Sequence, residues 1–305
     1  MLEINNISKK YKQLTAVNRI SFNVRDGEFY GLLGPNGAGK TTTINMISAI
    51  LPPDEGNILA DGKNIYQFKD EVKMKMGIVP QEIALYDEMH ALDNLLFWGS
   101  LYQVKGIKAK QKAENLLEWV GLADRKKDMI KTYSGGMKRR INIASALMHD
   151  PSLLIMDEPT VGIDPQSRNK IYELLDELHK EGKTILYTTH YMAEAERLCD
   201  RIGIIDKGNL IAEGSLDELK KQNQMEEIVV ITYNNEFLTP EFNGYKMEHD
   251  PEKKAIIIST RNLNSDLPLI VKHCADTNIQ IQNIDIRSTN LETIFLHLTG
   301  RQLRD

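Results

Sequence analysis

The chain has 305 residues, of which 41% are hydrophobic and 27% charged, ordinary usage for a folded protein of one large domain or two modest ones. That balance excludes a disordered or repeat scaffold, and a formal net charge of −5 excludes a general nucleic-acid binder, whose footprint is strongly basic. Cys199 and Cys274 stand far apart, outside any CxxC or zinc spacing, so neither a disulfide frame nor a zinc site is expected and a reduced cytosol fits.

The N-terminal "MLEINNISKKYK" lacks the apolar core of a signal peptide, and no apolar run reaches the roughly 18–20 residues that span a bilayer. Any membrane component is therefore expected from another chain. Residues 28–33, "EFYGLL", predict a short buried strand that feeds "GPNGAGKTT", residues 34–42. Gly34, Pro35, Asn36, Gly37, Ala38, Gly39, Lys40, Thr41 and Thr42 complete a G-x-x-x-x-G-K-T phosphate-binding loop. Its glycines let successive N–H groups aim at one anion, and the helix that follows directs its positive end at the same point. Lys40 is thereby placed for the β- and γ-phosphates and the Thr41 hydroxyl for magnesium. Ile44, Ile47 and Leu51 recur at helical spacing and predict a helix packed on a sheet, ended by Pro52 and Pro53.

The lysines of "KMK" at 73–75 read as a solvated face. Residues 83–131 predict mainly helix, because "ALDNLLFWGSLYQV" and "AENLLEWVGL" carry apolar residues at helical spacing. "TYSGGMKRR", residues 132–140, has the composition of a turn with a basic tail, in which Lys138, Arg139 and Arg140 face solvent or balance phosphate charge. "SLLIMDEP", residues 152–159, predicts a strand buried on both faces in a parallel sheet. Its two acids fall at the carboxyl end, where open α/β sheets bind ligands. Asp157 is placed to hold magnesium, directly or through water, and Glu158 to orient and deprotonate an attacking water.

Phosphate loop, "SGG" and "MDEP" in this order resemble the ATP-binding-cassette family, in which Ser134, Gly135 and Gly136 match the signature motif that opens a helix. Tyr133, where leucine is commonest, and Met137 are similar to variants found in bacterial drug and antibiotic exporters. Further positions match in the family's order. Tyr11 resembles the aromatic that stacks on adenine, and Gln81 in "GIVPQE" the glutamine that reaches toward magnesium and the attacking water. Asp164 in "PTVGIDP" resembles the D-loop aspartate, and His190 in "ILYTTHYMAEAE" the switch histidine at the γ-phosphate.

The resemblance implies an α/β fold: a P-loop ATPase domain over residues 1–216, with a helical subdomain at about 83–149. Within that subdomain, Phe97, Trp98 and Tyr102 belong either to its core or to a contact with a membrane subunit. It also implies ATP hydrolysis with magnesium, and two cassettes meeting head to tail. Each nucleotide then lies between one phosphate loop and the other subunit's Ser134, Gly135 and Gly136. The implied partners are a separate transmembrane permease and a second nucleotide-binding subunit, identical or related. Through the permease the chain would sit at the cytoplasmic face of the cell membrane, as the energy-coupling subunit of an exporter of drug, antibiotic, lipid or ion.

An import ATPase shares every catalytic motif and stays open as an alternative. A soluble cassette acting on ribosomes or DNA fits less well, since ribosomal members usually pair two cassettes in one chain and repair members insert a long coiled coil. A non-hydrolysing scaffold conflicts with Glu158 and His190. Beyond "IGIIDKGNLIAEGS", residues 217–305 predict a small α/β appendage. A polar helix at "LDELKKQNQMEE" leads to strands at "IVVITY", "AIIIST" and "IQIQNIDIR", with helices at "LPLIVKHCA" and "TNLETIFLHLTG". Similar tails occur in bacterial export ATPases, and dimer support or regulation is the expected role.

Overall fold

Burial alternates at the start of β1 (Leu2–Tyr11), where Leu2 and Ile4 point inward, and β1 pairs antiparallel with β2 (Leu14–Val24). The computed structural model describes residues 1–235, 242, 244–287 and 289–300. They form two compact units, Met1–Ser215 and a second that begins at Leu216.

In the first unit β3 (Phe29–Leu33), buried at every position, leads through the phosphate loop into α1 (Lys40–Ile47). That helix stops at Ile47, with Ser48 as its cap and Ala49 in the left-handed region. Pro52 and Pro53 therefore do not end it, and Leu51 lies half-buried in the turn beyond. The chain continues through β4 (Glu55–Ala60), β5 (Lys63–Asn64), α2 (Lys69–Lys73) and β6 (Met76–Val79). Residues 83–131, expected to be mainly helical, hold α3 (Ala91–Leu101) and α4 (Gly106–Trp119), with turns on either side. After α5 (Gly135–Ala146) come β7 (Leu153–Asp157), α6 (Pro165–Lys180), β8 (Thr184–Thr189), α7 (Met192–Leu198), β9 (Arg201–Asp206) and β10 (Asn209–Gly214).

Six strands form one sheet in the order β10-β9-β3-β8-β7-β6, parallel except at β10. Its two faces feed two cores, as strand periodicity requires. Leu153 and Ile155 pack with Ile44 and Ile47 and the antiparallel sheet β2-β1-β4-β5. Leu154 and Met156 pack with the helices, on Leu95, Leu117, Ile143 and Leu174. Phe97, Trp98 and Tyr102 are half-buried: Phe97 meets Tyr86 edge-on at 4.8 Å, and Tyr102 stacks on His149 at 3.7 Å.

The second unit comprises α8 (Leu216–Gln222), β11 (Glu227–Tyr233), β12 (Lys246–Asp250), β13 (Ala255–Thr260), α9 (Leu263–Asp276), β14 (Ile281–Arg287) and α10 (Leu291–Thr299). Its antiparallel sheet runs β12-β13-β11-β14, with Val229, Ile231, Ile256 and Ile258 packed on Ile270 and Cys274 of α9. The sequence "KMEHD" gives β12 no strand signature, and pairing with β13 makes it an edge strand, where charged side chains are tolerated.

Candidate active site

The phosphate loop takes its shape from one position above all. Gly39 has φ +108°, and a Cβ there would lie 2.5 Å from the Ala16 carbonyl oxygen, so only glycine closes the loop. As N-cap of α1, Gly39 offers no side chain to the helix, which leaves the first-turn N–H groups available to an anion. They face a cavity of about 690 Å³ whose lining includes Tyr11, Asn36, Gly37, Lys40, Thr41 and Thr42. Gln81 and Glu158 also line it. The size suits a nucleotide, and Tyr11, 46% exposed, offers a ring face at the rim.

Three buried charged groups stand behind the loop: Lys40, Asp157 and Glu158, none more than 5% exposed. The Lys40 ammonium donates to the carbonyl oxygens of Gly34 at 2.7 Å and Pro35 at 3.0 Å, and pairs with Glu158 Oε1 at 2.9 Å. All three of its donors are thereby used. Glu158 Oε2 lies 3.0 Å from His190 Nδ1, so one carboxylate joins the phosphate-loop lysine to the histidine.

Asp157, the last residue of β7, accepts from the Thr188 hydroxyl at 2.6 Å across β8. Glu158 sits in the left-handed region at φ 44°. For a residue other than glycine such a conformation costs on the order of 1–3 kcal/mol and clusters at functional sites. Its N–H donates to the Thr188 hydroxyl at 3.0 Å, which holds the turn.

The described residues hold no group of three or more His, Cys, Asp or Glu able to bind a metal by themselves. Magnesium needs less, since it is commonly held by one or two carboxylates, water and substrate phosphates. Thr41 and Gln81 line the cavity, and Asp157 ends β7 next to Glu158, which also lines it; a carboxylate, a hydroxyl and an amide oxygen are hard donors that suit magnesium, so the donor set fits.

Gly34, Pro35, Ala38, Asp157 and His190 stand behind the lining of this cavity rather than in it, and Ser134, Gly135, Gly136 and Asp164 are not among its lining residues either. Ser134 is exposed and caps α5 by accepting from the Met137 N–H at 3.3 Å. Gly136 presses on the start of α6, where a Cβ would lie 2.2 Å from Ser167 Oγ. Asp164 caps α6 through the Ser167 N–H at 2.9 Å, and that bond holds its carboxyl below the usual range.

The basic tail overturns expectation. Arg139 is 3% exposed and donates to the carbonyls of Pro80, at 2.7 Å, and Gln81. Three residues on, on the same face of α5, Asn142 accepts from the Ala84 N–H at 3.3 Å. Together they clasp both ends of the loop that carries Gln81. Arg140 is half-buried against the Val120 carbonyl, and Lys138 pairs with Asp87 at 2.7 Å. A tail facing solvent is thus wrong for Arg139, because its carbonyl partners lie far away in sequence. Thr188 was also missed; its one available signal was a polar pair, "TT", ending an apolar strand just before His190.

A family model described as "ABC transporter" matches residues 17–161. The chain is 48% identical over 313 residues to "Linearmycin resistance ATP-binding protein LnrL" of Bacillus subtilis, with 100% of each covered. It is 37% identical over 311 residues to "Nod factor export ATP-binding protein I" of Cupriavidus metallidurans, covering 100% of this chain and 99% of that one. Among solved structures, a dimeric post-hydrolysis ATP-binding cassette bound to ADP and Pi aligns with TM-score 0.65 and 27% identity, over 71% of this chain and 99% of that one.

Proposed function

Because the chain belongs to the ABC transporter family as an ATP-binding subunit that hydrolyses ATP, and its relatives support an exporter, we propose that Glu158 is the base that drives export. One observation carries this reading: Glu158 joins Lys40 through Oε1 and His190 through Oε2 at the head of the phosphate loop. Lys40 has no donor to spare, so a β- or γ-phosphate that draws its ammonium away leaves Oε1 free to accept a proton from water. Binding of the substrate thereby releases the base. The first-turn N–H groups of α1 and Lys40 hold the phosphates, Tyr11 stacks on the base, and His190 steadies the opposite oxygen of Glu158. Magnesium, held by Thr41, Asp157 and Gln81, would neutralise charge on the β- and γ-phosphates.

Ser134, Gly135, Gly136 and Asp164 serve the nucleotide of a second cassette in this reading, which is supported by the exposure of Ser134, Gly135 and Asp164 at the starts of α5 and α6. The assembly is a head-to-tail pair docked on a permease, at the cytoplasmic face of the membrane. No helix among the described residues is long and apolar enough to cross a membrane, so the permease supplies the path. The 48%-identical relative is named for linearmycin resistance, which favours a drug or antibiotic as cargo, and residues 217–305 are proposed as an accessory domain.

Glu158→Gln tests the base. With the permease present, ATP binding is retained while turnover falls on the order of 10²–10³-fold, or about 3–4 kcal/mol. Hydrolysis near the parent rate would remove Glu158 from the role.

A further inference from the structure

Four residues beyond the histidine, α7 carries a further buried carboxylate. Glu194 is 2% exposed. Four hydroxyls face it. Oε1 accepts from Thr160 at 2.6 Å and Tyr172 at 2.7 Å, and Oε2 from Tyr187 at 2.9 Å and Thr189 at 2.7 Å. An ionised carboxylate accepts at about four places, so this set is complete. The donors come from the loop after Glu158, from α6, and from the middle and end of β8.

Thr189 links this cluster to the chemistry. Its hydroxyl donates to Glu194 and accepts from the Tyr191 N–H at 2.9 Å, which pins the backbone on both sides of His190. The Thr189 carbonyl accepts from the Gly34 N–H at 3.3 Å, at the first residue of the phosphate loop. On its other side His190 meets Glu158. Tyr172 donates to the same carboxylate from α6, away from that path.

We infer that Glu194 is a positioning residue for ATP hydrolysis, which orders the Thr189–Tyr191 turn and thereby sets the His190 imidazole against Glu158. The inference rests on the roles proposed for Glu158 and His190. Glu194→Gln puts amide donors where hydroxyls already donate, so a hydroxyl must turn away from its partner. Thr189→Val keeps shape and loses the one hydroxyl on the path. Tyr172→Phe also removes one hydroxyl from Glu194, but off the path.

The variants are compared as full chains with the permease, by kcat, KM for ATP and melting temperature. Thr189→Val and Glu194→Gln should lower kcat on the order of 10²-fold, as a displaced catalytic group does. KM should stay within about twofold of the parent, and Thr189→Ser should restore turnover. Tyr172→Phe should melt earlier yet keep kcat within about twofold of the parent. Equal losses of kcat in Thr189→Val and Tyr172→Phe would reduce Glu194 to a structural role and overturn the inference.

A second readout needs no turnover. In the ¹⁵N-histidine-labelled full chain, the His190 ring resonances, identified by their loss in His190→Gln, should move in Thr189→Val and stay in Tyr172→Phe. Unmoved resonances in Thr189→Val overturn the positioning of His190. A parent complex that hydrolyses no ATP, yet shows those shifts, sinks the proposed function and leaves the positioning intact.

Discussion

The phosphate-loop side and the signature side of this one chain are built on opposite plans. Around Lys40 the charged groups are buried and satisfied by one another, with Glu158 between lysine and histidine. Around Ser134 and Asp164 the polar groups are exposed and bond only within their own helix starts. A buried charge left unpaired is costly, so the first region has to be completed inside the chain. The second can leave capacity for another molecule: as a cap the Ser134 oxygen only accepts, and its hydroxyl hydrogen stays free to donate. In the proposed function, the first region is what a lone subunit assembles and the second is what a neighbour completes.

The sharpest way to break that comparison is to damage the two sides in different chains. Ser134→Asp keeps an acceptor for the cap but sets a carboxylate where a phosphate donor is needed, and Lys40→Ala removes the loop's ammonium. Either variant alone with the permease should lose turnover by about 10²–10³-fold. Co-expressed, they form some dimers with one wholly intact and one doubly damaged site, and hydrolysis returns in part. Turnover that stays at the level of the separate variants would mean that Ser134 serves its own chain's nucleotide.

How much of this was legible depended on whether the deciding contacts were local. The phosphate loop, "MDEP" and the strands around them are patterns of spacing and burial that a few neighbouring residues determine, and the sheet places them where those patterns imply. Arg139 was not legible, because its carbonyl partners at Pro80 and Gln81 are joined to it only by folding. Within "MAEAE" nothing local separates the buried Glu194 from the half-buried Glu196. The strand β12 was hidden because charged edge strands owe their conformation to the partner strand more than to their own side chains. The end of α1 came early for a similar reason, in that the Tyr66 hydroxyl shares its one proton between the carbonyl oxygens of Met46 and Leu51 and holds the turn there.

A middle-sized effect tests whether α5 is one body with the loop of Gln81. Arg139→Met fills the space but leaves the Pro80 and Gln81 carbonyls without their donor in a buried place. Unsatisfied acceptors of this kind cost about 1–3 kcal/mol each. In a domain of this size each kcal/mol lowers the melting temperature by roughly 2–4 °C. Thermal melting checks this, and an unchanged melting temperature would show that the clasp contributes nothing.

The smallest effect lies one residue away and makes the contrast sharpest. Lys138 reaches Asp87 at 2.7 Å from a helix face where its side chain is 22% and its partner's 56% exposed. Exposed ion pairs of this sort contribute about 0–1 kcal/mol, because water and salt screen the attraction and two long side chains must be ordered. Lys138→Ala should therefore move the melting temperature by no more than a few degrees, and less at high salt. Arg139→Met should show no such salt dependence, since its guanidinium bonds neutral carbonyls out of reach of counterions. If both variants lose stability equally, and equally less in salt, the division between a buried clasp and a solvated charge fails within "KRR" itself.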